Sequence, residues 1–441
     1  MPVMKKVALI SLGCAKNLVD SEVMLGYFEA SGYQITPDPK FADIIIINTC
    51  GFIEPARSEA KDSIQKAIKL KKKAKNKVIA VTGCYVERYA EILKNSFPEI
   101  DIWTGVKNFH HIIDLLEKRS FIPANNTFLY DHMSPRRLSS PPSWAYVKIS
   151  EGCSHKCGFC AIPEIKGPYF SRDISSIILE VQNLVSLGIK EINLISHDST
   201  FFGQDKELKE GLPKLLEELL NIEDLGWIRV LYAYPEEISD RLLEIIQEDK
   251  ICSYIDAPFQ HANRNIIKKM KRGMDSVRAL KLIKKIRHKV PDAVLRTSII
   301  VGFPGEGNHE FNNLLSFIKT AKFDHLGIFM YSPEKNTSCY SLGDPVPQKV
   351  KAARNQEIME IQAEISQEHN KKYLGKHLDV IFEGSVQQDP SILAARTRYQ
   401  APEVDGSVFI DTETAENKIS SLIQKVEITG YDIYDLYGVF I

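Results

Sequence analysis

The feature that most constrains the fold of this chain is the alternation of short β-rich apolar runs with helical patterns, which occurs in two series. The first series contains the runs KKVALISLGC, ADIIIINTCG and NKVIAVTGC, each followed by a helical stretch. Strands that are connected by helices pair in parallel, because the helix carries the chain back along the sheet. The sequence therefore predicts an α/β domain with an open parallel sheet over residues 1–122.

A stretch rich in proline, serine and asparagine, residues 123–143, predicts a linker before the second series. Six further β-rich runs then alternate with helical patterns, which indicates a partial, TIM-like βα barrel that is open on one side. We assign residues 144–373 to this barrel, with Lys349–Tyr373 as a charged and mostly solvated helix at its end. The predicted strands are Trp144–Ser150, Glu191–Ile195, Trp227–Tyr232, Tyr254–Ala257, Val294–Ile300 and His325–Met330.

The last segment, residues 374–441, predicts a third domain that is built of strands. Short β-rich runs with turn signals, as in APEVDGSVFID and EITGYDIYDLYG, favour a small β-barrel. The segment is acidic, with five Lys and Arg residues against eleven Asp and Glu residues, a net charge of −6.

Composition narrows the class of protein. A chain of 441 residues with 44% hydrophobic and 26% charged residues is expected to be soluble and globular. No apolar run approaches the roughly 20 residues that span a bilayer, so no membrane association is expected and the cytoplasm is the expected location. Eight cysteines are too few for a disulfide scaffold at this length, and a reducing compartment leaves thiols free to hold metal.

Three cysteines follow the first predicted barrel strand at the spacing C-x3-C-x2-C. Cys153, Cys157 and Cys160 lie in the stretch SEGCSHKCGFCAIP, where the carboxyl end of a barrel strand is expected to contribute to an active site. Three thiolates suit either zinc or an iron-sulfur cluster. A cluster of four irons held by three cysteines leaves one iron free to bind another molecule, whereas a three-cysteine zinc site remains the alternative.

Another trio of cysteines, Cys14, Cys50 and Cys84, follows the three predicted strands of the first domain, and we call it the first trio because it comes first in the chain. The carboxyl ends of parallel strands share one edge of a sheet, so these thiols are expected to converge there. Each has a glycine beside it, which lets the backbone approach a ligand closely. We interpret the trio as a second cluster site; the alternative is three inert core thiols. Cys252 and Cys339 belong to neither trio and are expected to be ordinary buried thiols.

The C-x3-C-x2-C loop after the first strand of a partial barrel resembles the signature of the radical S-adenosylmethionine superfamily. The resemblance implies a 4Fe-4S cluster whose free iron binds S-adenosylmethionine, which is cleaved reductively to a 5′-deoxyadenosyl radical. It also implies cofactor-binding roles for Phe159, within the loop, and for Gly302 and Gly305 in IIVGFPGEG. A plain strand-to-helix turn is the alternative explanation of the two glycines.

The three predicted domains together resemble the methylthiotransferases of this superfamily, over essentially the whole chain. The resemblance implies two 4Fe-4S clusters, of which the auxiliary one supplies or carries sulfur. One S-adenosylmethionine would donate a methyl group to that sulfur, and a second would form the radical that activates a C–H bond. An electron donor such as flavodoxin or ferredoxin is expected as a partner.

Four stretches look like the branch that modifies an aspartate β-carbon in small-subunit ribosomal protein twelve: SLGCAKNLVDSE, YIDAPFQHA, MKRG and YSPEKNT. The acidic third domain suits a basic protein, whereas gripping tRNA phosphates calls for lysine and arginine clusters. tRNA is therefore not expected as a partner, and the branch that modifies tRNA adenosine remains one alternative. A non-catalytic iron-sulfur protein that binds the ribosome is another.

The sequence identifies no catalytic side chain for proton transfer. His197 and Asp198 follow the second predicted barrel strand and so lie at the expected catalytic face. The family resemblance implies glutamine at the position of His197, which leaves an ordinary hydrogen-bonded histidine as the alternative to a site residue.

Overall fold

The computed structural model describes residues 4–121, 123, 126–411 and 421–441. Its first domain is a parallel sheet with the strand order β2-β1-β3-β4-β5, as expected from strands that alternate with helices. The predicted end of this domain at residue 122 lies outside the described residues. The elements are β1 (Lys6–Ser11), α1 (Ala15–Ala30), β2 (Gln34–Ile35), β3 (Ile44–Thr49), α2 (Glu54–Lys73), β4 (Val78–Gly83), α3 (Cys84–Ser96), β5 (Ile102–Trp103) and α4 (Ile112–Leu116).

The segment predicted as a linker packs against both neighbouring domains where it is described. Arg136 donates to Glu22 of α1 at 2.6 Å and to Glu180 of the barrel at 2.7 Å. Tyr130 is buried and donates to the same Glu180 at 2.9 Å. These contacts fix α1 against the barrel. The composition of the segment correctly indicates that it lacks regular secondary structure, but the segment is packed against both domains and is not a free linker.

All six predicted barrel strands are present, and all pair in parallel. Two three-stranded sheets, β10-β9-β6 and β11-β12-β13, are joined by a bridge between Ile228 and Ile251, which leaves the barrel open between β6 and β13. The elements are β6 (Trp144–Lys148), β7 (Ser150–Glu151), α5 (Ile162–Lys166), β8 (Phe170–Ser171), α6 (Ile174–Ser186), β9 (Glu191–Ile195), α7 (Gly211–Leu220), β10 (Trp227–Val230), α8 (Asp240–Ile245), β11 (Tyr254–Asp256), α9 (Arg264–Lys269), α10 (Ser276–Lys289), β12 (Val294–Val301), α11 (Asn308–Ala321), β13 (His325–Met330) and α12 (Gln348–Lys371).

The charged helix predicted at the end of the barrel is present, and most of its residues are exposed or half-buried. One stripe of α12, from Lys351 to Ser366, is buried and packs on β13. Lys351 is buried because its ammonium donates to the carbonyl oxygen of Tyr331 at 2.7 Å, and Arg354 pairs with the buried Glu306 at 2.6 Å. Composition missed this burial because charged side chains enter a core when each finds a partner.

The third domain is a closed barrel with the strand order β14-β15-β16-β18-β17, which confirms the predicted β-barrel. The segment between β15 and β16 enters the amino-terminal end of the βα barrel, where Asp405 accepts from the Tyr254 hydroxyl at 2.5 Å. On the same side, Arg396 pairs with Glu191, the first residue of β9, at 2.6 Å. The strands are β14 (His377–Val386), β15 (Asp389–Thr397), β16 (Val408–Asp411), β17 (Ile423–Tyr431) and β18 (Leu436–Phe440).

Internal pairing reduces the surface charge that was expected of the acidic third domain. The Asp405 side chain is buried against the βα barrel, Glu403 accepts from the Tyr146 hydroxyl at 3.0 Å, and Glu383 pairs with Arg396 at 2.6 Å. Glu413, Glu416 and Lys418 lie outside the described residues. The number of Asp and Glu residues therefore overstates the negative electrostatic potential that this domain presents to a partner.

Candidate active site

The loop of Cys153, Cys157 and Cys160 is held by backbone hydrogen bonds at the carboxyl end of β6. The Cys153 amide donates to the carbonyl oxygen of Gly167 at 3.1 Å, and the Gly158 amide donates to that of Met270 at 2.8 Å. Met270 begins the MKRG stretch, whose Arg272 lies 3.7 Å from the Cys157 sulfur through Nη1. The stretch that the sequence singled out thus wraps the thiol loop and brings a cation to it.

His155, between the first two cysteines of the loop, is fixed on two sides. Its Nε2 lies 2.5 Å from Oδ2 of the buried Asp198, and its ring stacks on Tyr234 at a centroid distance of 3.8 Å. Arg272 lies 4.0 Å from the centroid of the same Tyr234 ring. Asp198, which the sequence had placed at the catalytic face, therefore positions the thiol loop.

Cys14, Cys50 and Cys84 all lie at the carboxyl edge of the first sheet, directly after β1, β3 and β4. Glycines press the three loops together. A Cβ atom on Gly13, whose φ is +93°, would lie 2.6 Å from the Cys50 Cβ, and one on Gly51 would lie 2.5 Å from the Tyr85 Cα. The expected convergence of these loops is present, and it depends on the absence of side chains at the two glycines.

The SLGCAKNLVDSE stretch fastens the Cys14 loop to the sheet. Asn17 donates through Nδ2 to the Leu12 carbonyl oxygen at 2.7 Å, and Asn48 of β3 donates to the Asn17 carbonyl oxygen and to the Ser21 hydroxyl, both at 2.9 Å. The polar residues of this stretch lie on the buried start of α1, where Asn17 and Ser21 bond the first sheet. Lys16, Asp20 and Glu22 instead bond the barrel and the segment before it.

Burial raises the pKa of several of these thiols, which is the behaviour of thiols in apolar surroundings. The pKa of Cys50 and that of Cys153 rise to about 11, and that of Cys160 rises to about 12. Burial raises the pKa of Cys84 further, with smaller contributions from Cys50 and Cys14. Without metal these four thiols are protonated at neutral pH, so cluster assembly must release protons.

The donor chemistry fits iron-sulfur clusters. Each trio consists of thiols on loops at the end of a strand, and thiolates are the ligands that such clusters take. Cys252 and Cys339 are buried, as predicted, and Cys339 packs on the thiol loop at Gly158.

The two trios are brought together where α3 contacts α5. Helix α3 begins at Cys84, and α5 begins two residues after Cys160. Buried charges fill the same interface: Lys148 bonds Asp20 of α1 and lies 2.9 Å from Glu151, and Lys166 lies 3.2 Å from Asp20 and 3.3 Å from Glu151.

His197 lies inside this charged interface, with Nδ1 3.5 Å from Glu151. Burial and the neighbouring Lys16 lower the pKa of His197 to about 3, so the ring is neutral at physiological pH. A neutral imidazole adds no positive charge to the interface.

A second ionic contact clamps the Cys50 loop to the far side of the barrel. Glu334, in the YSPEKNT stretch after β13, is 2% exposed through its side chain and accepts from Arg57 at 2.6 Å and from Arg88 at 2.8 Å. Both arginines also donate to the carbonyl oxygen of Gly51, at 3.3 Å and 2.9 Å. The clamp therefore links the residue after Cys50 to the barrel.

Packing explains why Gly302 and Gly305 of IIVGFPGEG carry no side chain. A Cβ on Gly302 would collide with the Lys351 side chain, and one on Gly305 would collide with the Lys269 ammonium. Phe159 packs against a group of buried hydrophobic residues that includes Phe303 and Cys339. The cofactor-binding roles of Phe159, Gly302 and Gly305 stay predictions.

Known families match three successive parts of this chain. Residues 6–105 match the family described as Uncharacterized protein family UPF0004, residues 147–318 match the Radical SAM superfamily, and residues 374–441 match the TRAM domain. These segments correspond to the open parallel sheet, most of the βα barrel and the closed β-barrel.

Relatives of this chain match it over nearly its whole length. Ribosomal protein uS12 methylthiotransferase RimO of Syntrophotalea carbinolica is 44% identical over 444 residues, which cover 98% of this chain and 96% of the relative. The chain belongs to the RimO family. RimO of Aquifex aeolicus is 41% identical over 437 residues, with 98% and 96% of the two chains covered. Membership confirms the predicted methylthiotransferase, and the radical SAM match implies a 4Fe-4S cluster and S-adenosylmethionine as cofactors.

Two solved structures share the fold. The radical S-adenosylmethionine methyltransferase TsrM from Kitasatospora setae matches with a TM-score of 0.55 at 12% identity, covering 75% of this chain and 74% of TsrM. The cobalamin-dependent S-adenosylmethionine radical enzyme OxsB matches with a TM-score of 0.51 at 13% identity, covering 82% and 58%. At such identities the likeness supports the fold of this RimO family member.

In the described ranges, no helix combines the length and the apolar character needed to cross a membrane. Sequence reasoning missed several residues that build the site, namely Lys16, Arg272 and Glu334. The motifs that contain them were visible, but the function of each residue depends on a partner that is distant in sequence.

Proposed function

We propose that this chain transfers a methylthio group to the β-carbon of an aspartate in ribosomal protein uS12. The observation that carries the proposal is the pair of thiol trios on either side of one domain interface, with Cys84 at the start of α3 and Cys160 just before the adjoining α5. The relatives at 40–44% identity bear names that state this substrate.

The proposal assigns a 4Fe-4S cluster to each trio. Cys153, Cys157 and Cys160 would hold the cluster that binds S-adenosylmethionine, and Phe159, Gly302 and Gly305 would line the adenosyl group. The auxiliary cluster would be held by Cys14, Cys50 and Cys84, whose loops approach closely at Gly13 and Gly51. The domain boundaries at residues 122, 143 and 373 belong to the same proposal.

The bound cofactors would supply a carbon-centred radical and a methylated sulfur, which together replace a C–H bond by a C–S bond. The residues of the chain position these groups. Asp198 orients His155 and with it the thiol loop, while Arg272 offsets negative charge at Cys157. Buried charge pairs exclude water from the interface between the trios. A one-electron donor of the flavodoxin or ferredoxin class is the proposed reductant.

The test compares anaerobically reconstituted wild type with a Cys153→Ala/Cys157→Ala/Cys160→Ala variant and a Cys14→Ala/Cys50→Ala/Cys84→Ala variant. Wild type should contain about eight irons and each variant about four, since each trio holds one four-iron cluster. Wild type should thiomethylate uS12, as detected by mass spectrometry. The Cys14 variant should still cleave S-adenosylmethionine reductively, and the Cys153 variant should not.

Other outcomes separate the alternatives. About four irons in wild type, and none in the Cys153 variant, would leave the first trio as core thiols and remove the proposed sulfur site. Thiomethylation of tRNA adenosine, with binding that weakens steeply as salt increases, would identify the tRNA-modifying activity. Ribosome binding without S-adenosylmethionine binding would identify a non-catalytic protein.

A further inference from the structure

A buried lysine reaches from the first domain into the mouth of the barrel. Lys16 is 6% exposed and lies in the first turn of α1, two residues after Cys14. Its ammonium donates to the carbonyl oxygen of Ser196 at 3.2 Å and lies 3.4 Å from the centroid of the Tyr232 ring. Ser196 and Tyr232 follow the carboxyl ends of β9 and β10, so the ammonium lies at the catalytic end of the barrel.

The buried Asp and Glu side chains near Lys16 form ion pairs with other lysines. Lys148 and Lys166 share the carboxylates of Asp20 and Glu151. Among the described residues, no Asp or Glu oxygen lies within ion-pairing distance of the Lys16 ammonium, whose contacts are the Ser196 carbonyl oxygen and the Tyr232 side chain, with Cys14 and Glu151 acting on its charge from further away. A buried cation without a counter-ion is costly, so the position is suited to a cation that meets an anion during function.

We propose that Lys16 binds the side-chain carboxylate of the substrate aspartate. This inference rests on the proposed function, which supplies an aspartate as the substrate. The carboxylate carbon is bonded directly to the β-carbon, so anchoring the carboxylate fixes the reacting carbon close to the Cys14 loop. An adenine base is uncharged and gains no ion pair at this position. The same residue would therefore favour a protein aspartate over a nucleoside.

The other source of negative charge near Lys16 is the thiolate set of the first trio, since Cys14 is two residues away. A lysine that offsets the charge of those thiolates would change the spectrum of their cluster and would not affect which substrate binds. The two roles are distinguished by comparing substrate discrimination with the spectrum of the cluster.

The experiment measures binding of uS12, and of uS12 with the target aspartate replaced by asparagine, to the reconstituted protein by calorimetry. Wild type should bind the aspartate form about 10- to 100-fold more tightly, the range expected for one hydrogen bond to a charged group in a buried site. Lys16→Met, which keeps the length of the side chain and removes the charge, should bind both forms equally. Its iron content and the EPR spectra of its reduced clusters should match wild type.

Matched variants complete the test. Lys61→Met removes an exposed lysine from α2 and should keep the discrimination of wild type. Lys16→Arg keeps the positive charge and should retain part of the discrimination between the two forms of uS12. If Lys16→Met does not fold, Lys16→Gln replaces it in the same comparison.

Three results would overturn the inference: wild type that binds both forms equally, a Lys16→Met variant that still discriminates, or a Lys16→Met variant that binds both forms equally but shows an altered cluster spectrum. Failure of the proposed function is a separate observation, because it appears as wild-type protein that does not thiomethylate uS12. Binding is measured without turnover, so the two failures are distinguishable.

Discussion

Replacing Glu334 by glutamine should loosen the contact between the Cys50 loop and the barrel. The carboxylate is the counter-ion of two buried guanidinium groups, of which Arg88 has no other carboxylate partner in the described residues and Arg57 retains the exposed Glu54 at 2.8 Å. Removing one partner of a buried ion pair costs about 3–5 kcal/mol, and we expect a loss of about 3 kcal/mol because the glutamine oxygen still accepts a hydrogen bond.

The matched control is Glu54→Gln, which removes the other carboxylate from Arg57. Glu54 is 59% exposed through its side chain, and a pair of this kind contributes at most about 1 kcal/mol. Urea unfolding of both variants, followed by tryptophan fluorescence, measures the difference, since Trp103 lies in the first sheet and Trp144 in the barrel. Thiomethylation of uS12 by Glu334→Gln should fall more than reductive cleavage of S-adenosylmethionine. Equal unfolding midpoints for the two variants would refute the reasoning.

Three further predictions concern the edge of the first sheet, the loop of Cys153, Cys157 and Cys160, and the contact of Asp324 with helix α12. Gly51→Ala should lower the iron content of the first trio by separating two cysteine loops, because the new Cβ would lie 2.5 Å from backbone. Arg272→Met should make the cluster at Cys157 harder to reduce, as measured by EPR redox titration, because a positive charge 3.7 Å from its sulfur is lost. Asp324→Asn should cost about 2 kcal/mol of unfolding free energy at pH 7, since His369 at 2.5 Å helps to lower the pKa of Asp324 from 3.8 to about 2. This contribution is present above the ordinary pKa, so the difference between the two proteins should vanish as the pH falls from about 4 to about 2.

Each of these predictions has a control. Gly327→Ala, at a glycine without a positive φ, places a Cβ in ordinary van der Waals contact, 3.7 Å from the Phe329 ring, so iron content should be unchanged. Arg278→Met removes an arginine that bonds a backbone carbonyl on the surface, and the reduction potential should stay at its wild-type value. A pH-independent difference for Asp324→Asn would show that the lost contact is steric and not ionic.

The sequence by itself determined the class of fold and the positions of the six thiols that we propose as cluster ligands. Alternating strand and helix patterns dictate parallel pairing, and parallel pairing gathers the residues after each strand at one edge. Cys14, Cys50 and Cys84 could therefore be predicted to converge although more than thirty residues separate each from the next. The spacing of Cys153, Cys157 and Cys160 is local, so one loop determines it.

The tertiary structure alone decided which charges meet. Glu334 pairs with Arg57 across 277 residues, and Lys16 reaches Ser196 across 180, separations at which no periodicity in the sequence relates the partners. Composition also assigned Lys351 to solvent and Asp405 to an acidic surface, whereas both are buried. The physical reason is that burial of a charge depends on a partner held at a defined distance, and that distance exists once the domains have packed.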